Sequence, residues 1–146
     1  MKITQLSVFL ENKPGRLSVP CKALAKAGLN ILTLSLADTR QFGILRIVLK
    51  DWQKAREVLE AAGLVVNVTE VIAIEVDDRP GGLAHVLDVI EGAGMNLEYM
   101  YAFTFGREDK AILVFRFEDP DAAIKLLKAK AVNVVGGMDL FDRPRC

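Results

Sequence analysis

The chain has 146 residues, of which 51% are hydrophobic and 26% charged, and its 19 basic and 19 acidic side chains cancel. This is ample for a packed core and too apolar for disorder. With no Lys/Arg block the chain lacks the electrostatic footprint of a nucleic-acid-binding protein. Residues Met1 to Leu6 lack the apolar run of a signal peptide, and no stretch approaches the roughly 18 apolar residues of a membrane span, so a cytoplasmic protein without membrane or nucleic-acid partners is expected. Cys21 and Cys146 have no spacing suited to zinc or redox work. They read as a small helix-core residue and a frayed terminal thiol.

In chain order, Leu6, Val8 and Leu10 alternate with Gln5, Ser7 and Phe9, the period-two signature of a strand with one buried face. Pro14 can take the first helical position, and Leu17, Cys21 and Leu24 follow at helical spacing until Gly28 stops the helix. An extended stretch from Ile31 to Ala37 comes next, then a turn and a strand burying Leu45, Ile47 and Leu49. A helix over about Trp52 to Ala62 leads to a short strand over Leu64 to Val68, with Trp52 covering apolar surface.

The series then repeats. Ile72, Ile74 and Val76 mark a strand, Pro80 to Gly94 a helix carrying Leu83, Leu87 and Ile90, and Leu97 to Phe105 an extended stretch. Leu113, Phe115 and Phe117 belong to the following strand, Asp121 to Lys130 to a helix, and Val132 to Val135 to a last strand. The repetition is explicit in the residues. Asn12-Lys13-Pro14-Gly15-Arg16-Leu17 returns as Asp78-Arg79-Pro80-Gly81-Gly82-Leu83, and Ala27-Gly28-Leu29-Asn30 as Ala93-Gly94-Met95-Asn96, both 66 positions on. Asp51, Ala55 and Leu59 return as Asp119, Ala123 and Leu127 at an offset of 68, so the second copy gained two residues near Gly106 to Asp109. A duplicated unit is the simplest account.

The order β-α-β-β-α-β, twice, is the split βαβ or ferredoxin-like arrangement, an α+β fold of antiparallel sheets with helices on one face. Residues 1–69 and 70–146 are expected as two domains, each near the lower size limit for independent stability. Register in the second strand is ambiguous. Asn30, Leu32, Leu34 and Leu36 form an apparent buried row, whereas the matching row in the second copy begins Asn96, Glu98; a bulge, or Glu98 at an edge, reconciles them. Eight strands in two small sheets leave edges and an open face bearing Val48, Ile112 and Val114. Association follows, as a homodimer or higher homo-oligomer; the copies join in one sheet, or two chains pack face to face, or both.

At each first-strand-to-helix junction, the amides of Gly15, Arg16 and Leu17, and of Gly81, Gly82 and Leu83, are the unpaired donors of a helix start and attract a carboxylate. Asn12 or Asp78 offers an acceptor to an ammonium group, and Asn30 and Asn96 can complete a polar ring, which suits a free amino acid. Plain helix capping and turn shaping account for the same residues. Tyr99, Tyr101, Phe103 and Phe105 stand where the first copy has the small Thr33, Ser35, Ala37 and Thr39, and either line a pocket or fill core. His85, the single histidine, reads as a solvated helix residue. Arg107, Glu108, Asp109 and Lys110 read as a charged hairpin tip. No nucleophile, metal cluster or phosphate-cradling loop emerges, so neither catalysis nor a cofactor is expected.

The Asp-x-Pro-Gly-x-Leu loop from Asp78 to Leu83, with the Ala-Gly-x-Asn run from Ala93 to Asn96, resembles the signature of the ACT domain, a small regulatory module of amino-acid metabolism. The resemblance covers nearly the whole chain, twice. It implies ligand contacts at Asn12, Gly15, Arg16, Leu17 and Asn30 in the first copy. In the second it implies Asp78, Gly81, Gly82, Leu83 and Asn96, and Pro80, Met95 and Tyr99 are expected beside them as ligand-binding residues. The first copy departs from the pattern, with Asn12 where Asp is usual and Arg16 opposite Gly82, so the second is favoured. The implied function is an amino-acid sensor that modulates a partner enzyme. The alternative is a structural subunit that keeps the fold for assembly. An RNA-recognition module lacks its aromatics in Gly43-Ile44-Leu45-Arg46, and a metallochaperone lacks its Cys-x-x-Cys loop.

Overall fold

A computed structural model describes residues 1–38, 41–106 and 108–141. The elements are β1 (Ile3–Glu11), α1 (Ser18–Lys26), β2 (Thr33–Asp38), β3 (Phe42–Val48), α2 (Trp52–Ala61) and β4 (Val65–Asp77). They continue with α3 (Gly82–Gly92), β5 (Leu97–Ala102), β6 (Lys110–Phe117), α4 (Pro120–Ala129), β7 (Val134–Val135) and α5 (Gly137–Phe141). Two compact units result: a first of Thr4–Thr69, and a second of Met1–Ile3 with the described residues from Glu70 on. The expectations for Thr39, Arg107 and Cys146 lie outside the described residues.

In the first unit β3 pairs antiparallel with β1 and with β2. In the second, β6 pairs antiparallel with β4 and β5, and β7 with β4. The duplication is visible in the register itself. Leu6 pairs with Ile47 and Ile72 with Phe115; Ser35 pairs with Arg46 and Tyr101 with Val114. Each partner set is related by 66 on one strand and 68 on the other, which places the two extra residues between β5 and β6, as expected. The expected bulge is present as well, as a register shift between Leu97 and Tyr99.

Each sheet packs one face on its helices. Leu6, Val8, Leu10, Leu45 and Ile47 meet Leu24 of α1 and Ala55 and Leu59 of α2, with Trp52 packed against them. Ile72, Ile74, Val76, Leu113 and Phe115 meet Val86 and Ile90 of α3 and Ala123 and Leu127 of α4. Burying each such Leu, Ile or Phe stabilises by about 1.5–3 kcal/mol.

Four expectations are corrected. No break separates the last strand of the first copy from the first strand of the second: Val65–Asp77 is one strand of 13 residues, so among the described residues seven strands stand where eight were expected. Leu34 and Leu36 lie on the helix-side face, opposite Ile47 and Leu45, but are 47% and 51% exposed. They sit on an edge strand that α1 and α2 do not cover, and Asn30 is exposed too. Val48, Ile112 and Val114, which alternate with the core rows, are fully withdrawn from solvent within the single chain. The helices also start late. α1 begins at Ser18 and α3 at Gly82, leaving Pro14 and Pro80 in the preceding turns, while Leu17 is exposed and Cys21 half-buried.

Candidate ligand-binding site

Both Pro-Gly turns share one backbone device. Gly15 has φ +85° and Gly81 φ +87°, left-handed values that a side chain disfavours and that turn the chain from strand toward helix. Beyond this point the copies diverge. Gly82 lies so close to β4 that a Cβ on it would sit 2.0 Å from the Asp77 carbonyl oxygen, a contact no other residue type makes. Where the first copy carries Arg16, helix α1 opens two positions later in the repeat, at Ser18, whose hydroxyl donates to the Gly15 carbonyl at 2.8 Å.

Some amides expected as free donors are engaged. The Gly82 N–H donates to the Arg79 carbonyl at 3.0 Å, and the Arg16 N–H to the Lys13 carbonyl at 3.2 Å. Asp78 is exposed, and its N–H donates to the Asp109 carbonyl at 2.8 Å, fastening the loop to the β5–β6 connection.

Asp77, the last residue of β4, is the electrostatic centre of this region. It pairs across the sheet with Lys110, whose ammonium binds its carboxylate, and the Arg79 guanidinium binds the other carboxylate oxygen at 3.1 Å. The hydrogen bond from Lys110, then the nearby charges of Lys110 and Arg79, hold Asp77 below the usual carboxylate range. The same hydrogen bond raises Lys110. Both side chains remain a third or more exposed, so the pair is solvent-screened.

Two clefts flank this pair. One, of about 240 Å³, has an apolar floor of Val76, Val86 and Val132 beside Gly82, and a polar rim of Glu75, Asp77, His85, Lys110 and Asn133. The Asn133 amide donates to Glu75 at 2.9 Å and fixes part of that rim. The other, of about 290 Å³, is lined by Asp77, Asp78, Arg79, Asp109 and Lys110. Together they juxtapose carboxylates, which accept from an ammonium, with cations, which bind a carboxylate.

Of the residues expected in the second copy, Gly82 lines the first cleft and Asp78 the second. Pro80, Gly81 and Asn96 are exposed and line neither cleft, while Leu83 and Met95 pack against the core. Tyr99 is half-buried and pairs with Arg116 on the strand face turned from the helices. In the same run the Phe103 and Phe105 rings lie 5.5 Å apart, with Phe103 buried, as core filling requires. In the first copy Asn12, Gly15, Arg16, Leu17 and Asn30 are all exposed, and Lys13 and Arg16 turn to Glu11 at 3.1 and 3.9 Å. His85 is exposed, as expected, yet lines the first cleft.

Sequence reading missed Asp77, Lys110, Glu75 and Asn133. The alternation that marks Ile72, Ile74 and Val76 as core also puts Glu75 and Asp77 together on the opposite face, and that signal was available. No group of three or more His, Cys, Asp or Glu suited to a metal occurs among the described residues. No described helix is long and apolar enough to cross a membrane.

No curated protein matches the chain. Among solved structures, protein BT0572 from Bacteroides thetaiotaomicron is similar with a TM-score of 0.89 and 38% identity, 98% of each chain being covered. The ligand-free regulatory subunit of aspartate kinase from Thermus thermophilus shares the fold, with a TM-score of 0.63 and 16% identity over 88% of this chain and 93% of that one. The corresponding subunit from Thermus flavus gives 0.62 and 18% over 88% and 92%. A family model described as an ACT domain pair matches residues 1–142. With this match added to the duplicated βαββαβ units and their Pro-Gly turns, the chain belongs to the ACT domain pair family.

Proposed function

We propose that the protein binds a free amino acid at the β4–α3 loop of its second unit and thereby regulates an enzyme of amino-acid metabolism. The observation that carries this reading is the pair of clefts beside Asp78 and Gly82, where carboxylates and cations stand together in a small volume. Such a setting matches the two charges of a zwitterion. The aspartate kinase regulatory subunits that share the fold support a regulatory rather than catalytic role. In this reading residues 1–69 and 70–146 act as two domains in a cytoplasmic homodimer. The uncharged run from Thr33 to Ala37 on edge strand β2, with Leu34 and Leu36 exposed, supports self-association. Ligand then acts by favouring one assembled state over another.

A second reading, a structural subunit without ligand, is favoured by the first unit, where Arg16 replaces the close-approach glycine and turns to Glu11. Selective elevation of the melting temperature by one or a few of the twenty amino acids separates the readings, because a ligand that binds only the native state stabilises it.

A further inference from the structure

Asp77 and Lys110 line both clefts, so their ion pair is the wall between them. The clefts on its two sides measure about 240 and 290 Å³. The backbone of this wall is fixed, by the register of Asp77 with Lys110 and by the approach of Gly82 to the Asp77 carbonyl. The side chains are not: Asp77 is 34% and Lys110 39% exposed, and exposed ion pairs are cheap to open. The cations of the second cleft, Lys110 and Arg79, are both committed to Asp77. A carboxylate from outside therefore competes with Asp77 for these two cations.

We propose that Asp77 is a built-in competitor for the ligand carboxylate, and that its ion pair with Lys110 is a gate between the clefts. An incoming amino acid displaces Asp77 and places its carboxylate on Lys110 and Arg79, while Asp78 accepts the ammonium group. The two clefts then become one site. The inference rests on the amino-acid reading above and deepens it: occupancy is set by competition between two carboxylates for the same cations.

The test compares wild type, Asp77→Asn and Lys110→Gln, each checked for native folding by circular dichroism. Each is titrated calorimetrically with the twenty amino acids and with the decarboxylated amine of any that binds. Asp77→Asn is nearly isosteric and releases both cations, so the amino acid is expected to bind roughly two- to five-fold more tightly, and the amine is not. Lys110→Gln is expected to abolish that preference for the carboxylate form. Unchanged or weaker amino-acid binding in Asp77→Asn, with wild type still binding, overturns the gate and leaves the amino-acid site standing. If no amino acid binds wild type or either variant, the gate falls together with the reading beneath it. An amino acid that binds only Asp77→Asn supports the gate in its tightest form.

Discussion

Gly82 opens α3 against the carbonyl oxygen of Asp77, at a separation that leaves no room for a Cβ. The contact sets where α3 begins and how near the loop lies to the end of β4. Gly82→Ala is expected to push the helix start toward the later position seen in α1, with a loss of about 1–3 kcal/mol. Gly81→Ala meets nothing within 4 Å and carries only the left-handed backbone penalty, about 1–2 kcal/mol. Urea denaturation of the two variants measures both, and equal, negligible losses contradict the contact.

The duplicated helix starts give an internal control for capping. Asp119 accepts a hydrogen bond from the Ala122 amide at 3.1 Å, whereas its repeat partner Asp51 makes no side-chain cap bond. Asp119→Ala is expected to cost about 0.5–2 kcal/mol, and Asp51→Ala much less. Denaturation midpoints read the difference directly.

These comparisons also show what the residues made legible. The equivalence of the two copies was legible in the repeat, and the structure pairs equivalent residues in both: Leu6 with Ile47, Ile72 with Phe115. The continuity of β4 was less visible, although Val65 to Asp77 contains neither Gly nor Pro to break it. Periodicity names a face but not what covers it, so Leu34 and Leu36 on the edge, and Val48 and Ile112 on the buried opposite face, were misjudged. Asp77 escaped notice as a site residue because its partner Lys110 arrives from β6, across a connection whose register no motif reveals.

The ion pairs predict a pH response. The folded chain holds Asp77 below its ordinary value of 3.8, so it binds fewer protons there than the unfolded chain. The stabilisation is therefore present above the unfolded value and lost as pH falls through the folded one. Lys110 is raised above 10.5, so its contribution is present below that value and lost as pH rises through the raised one. Asp77→Asn should flatten both limbs of a plot of denaturation midpoint against pH. Limbs identical to wild type would show that the pair makes no contribution.

The exposed edge of β2 predicts a surface effect without a folding effect. Leu36→Lys places a charge at a half-exposed position. Its stability should change by no more than about 0.5 kcal/mol, while sedimentation equilibrium shifts toward the monomer. A variant that associates like wild type places self-association elsewhere.

The most direct test of an amino-acid sensor is the melting temperature of the full chain against each of the twenty amino acids, with Asp78→Ala measured in parallel. One or a few amino acids should raise the wild-type value in a concentration-dependent manner, with a smaller rise in Asp78→Ala. A flat response across all twenty, on protein that unfolds cooperatively, contradicts the amino-acid site and favours a subunit that uses the ACT fold for assembly alone.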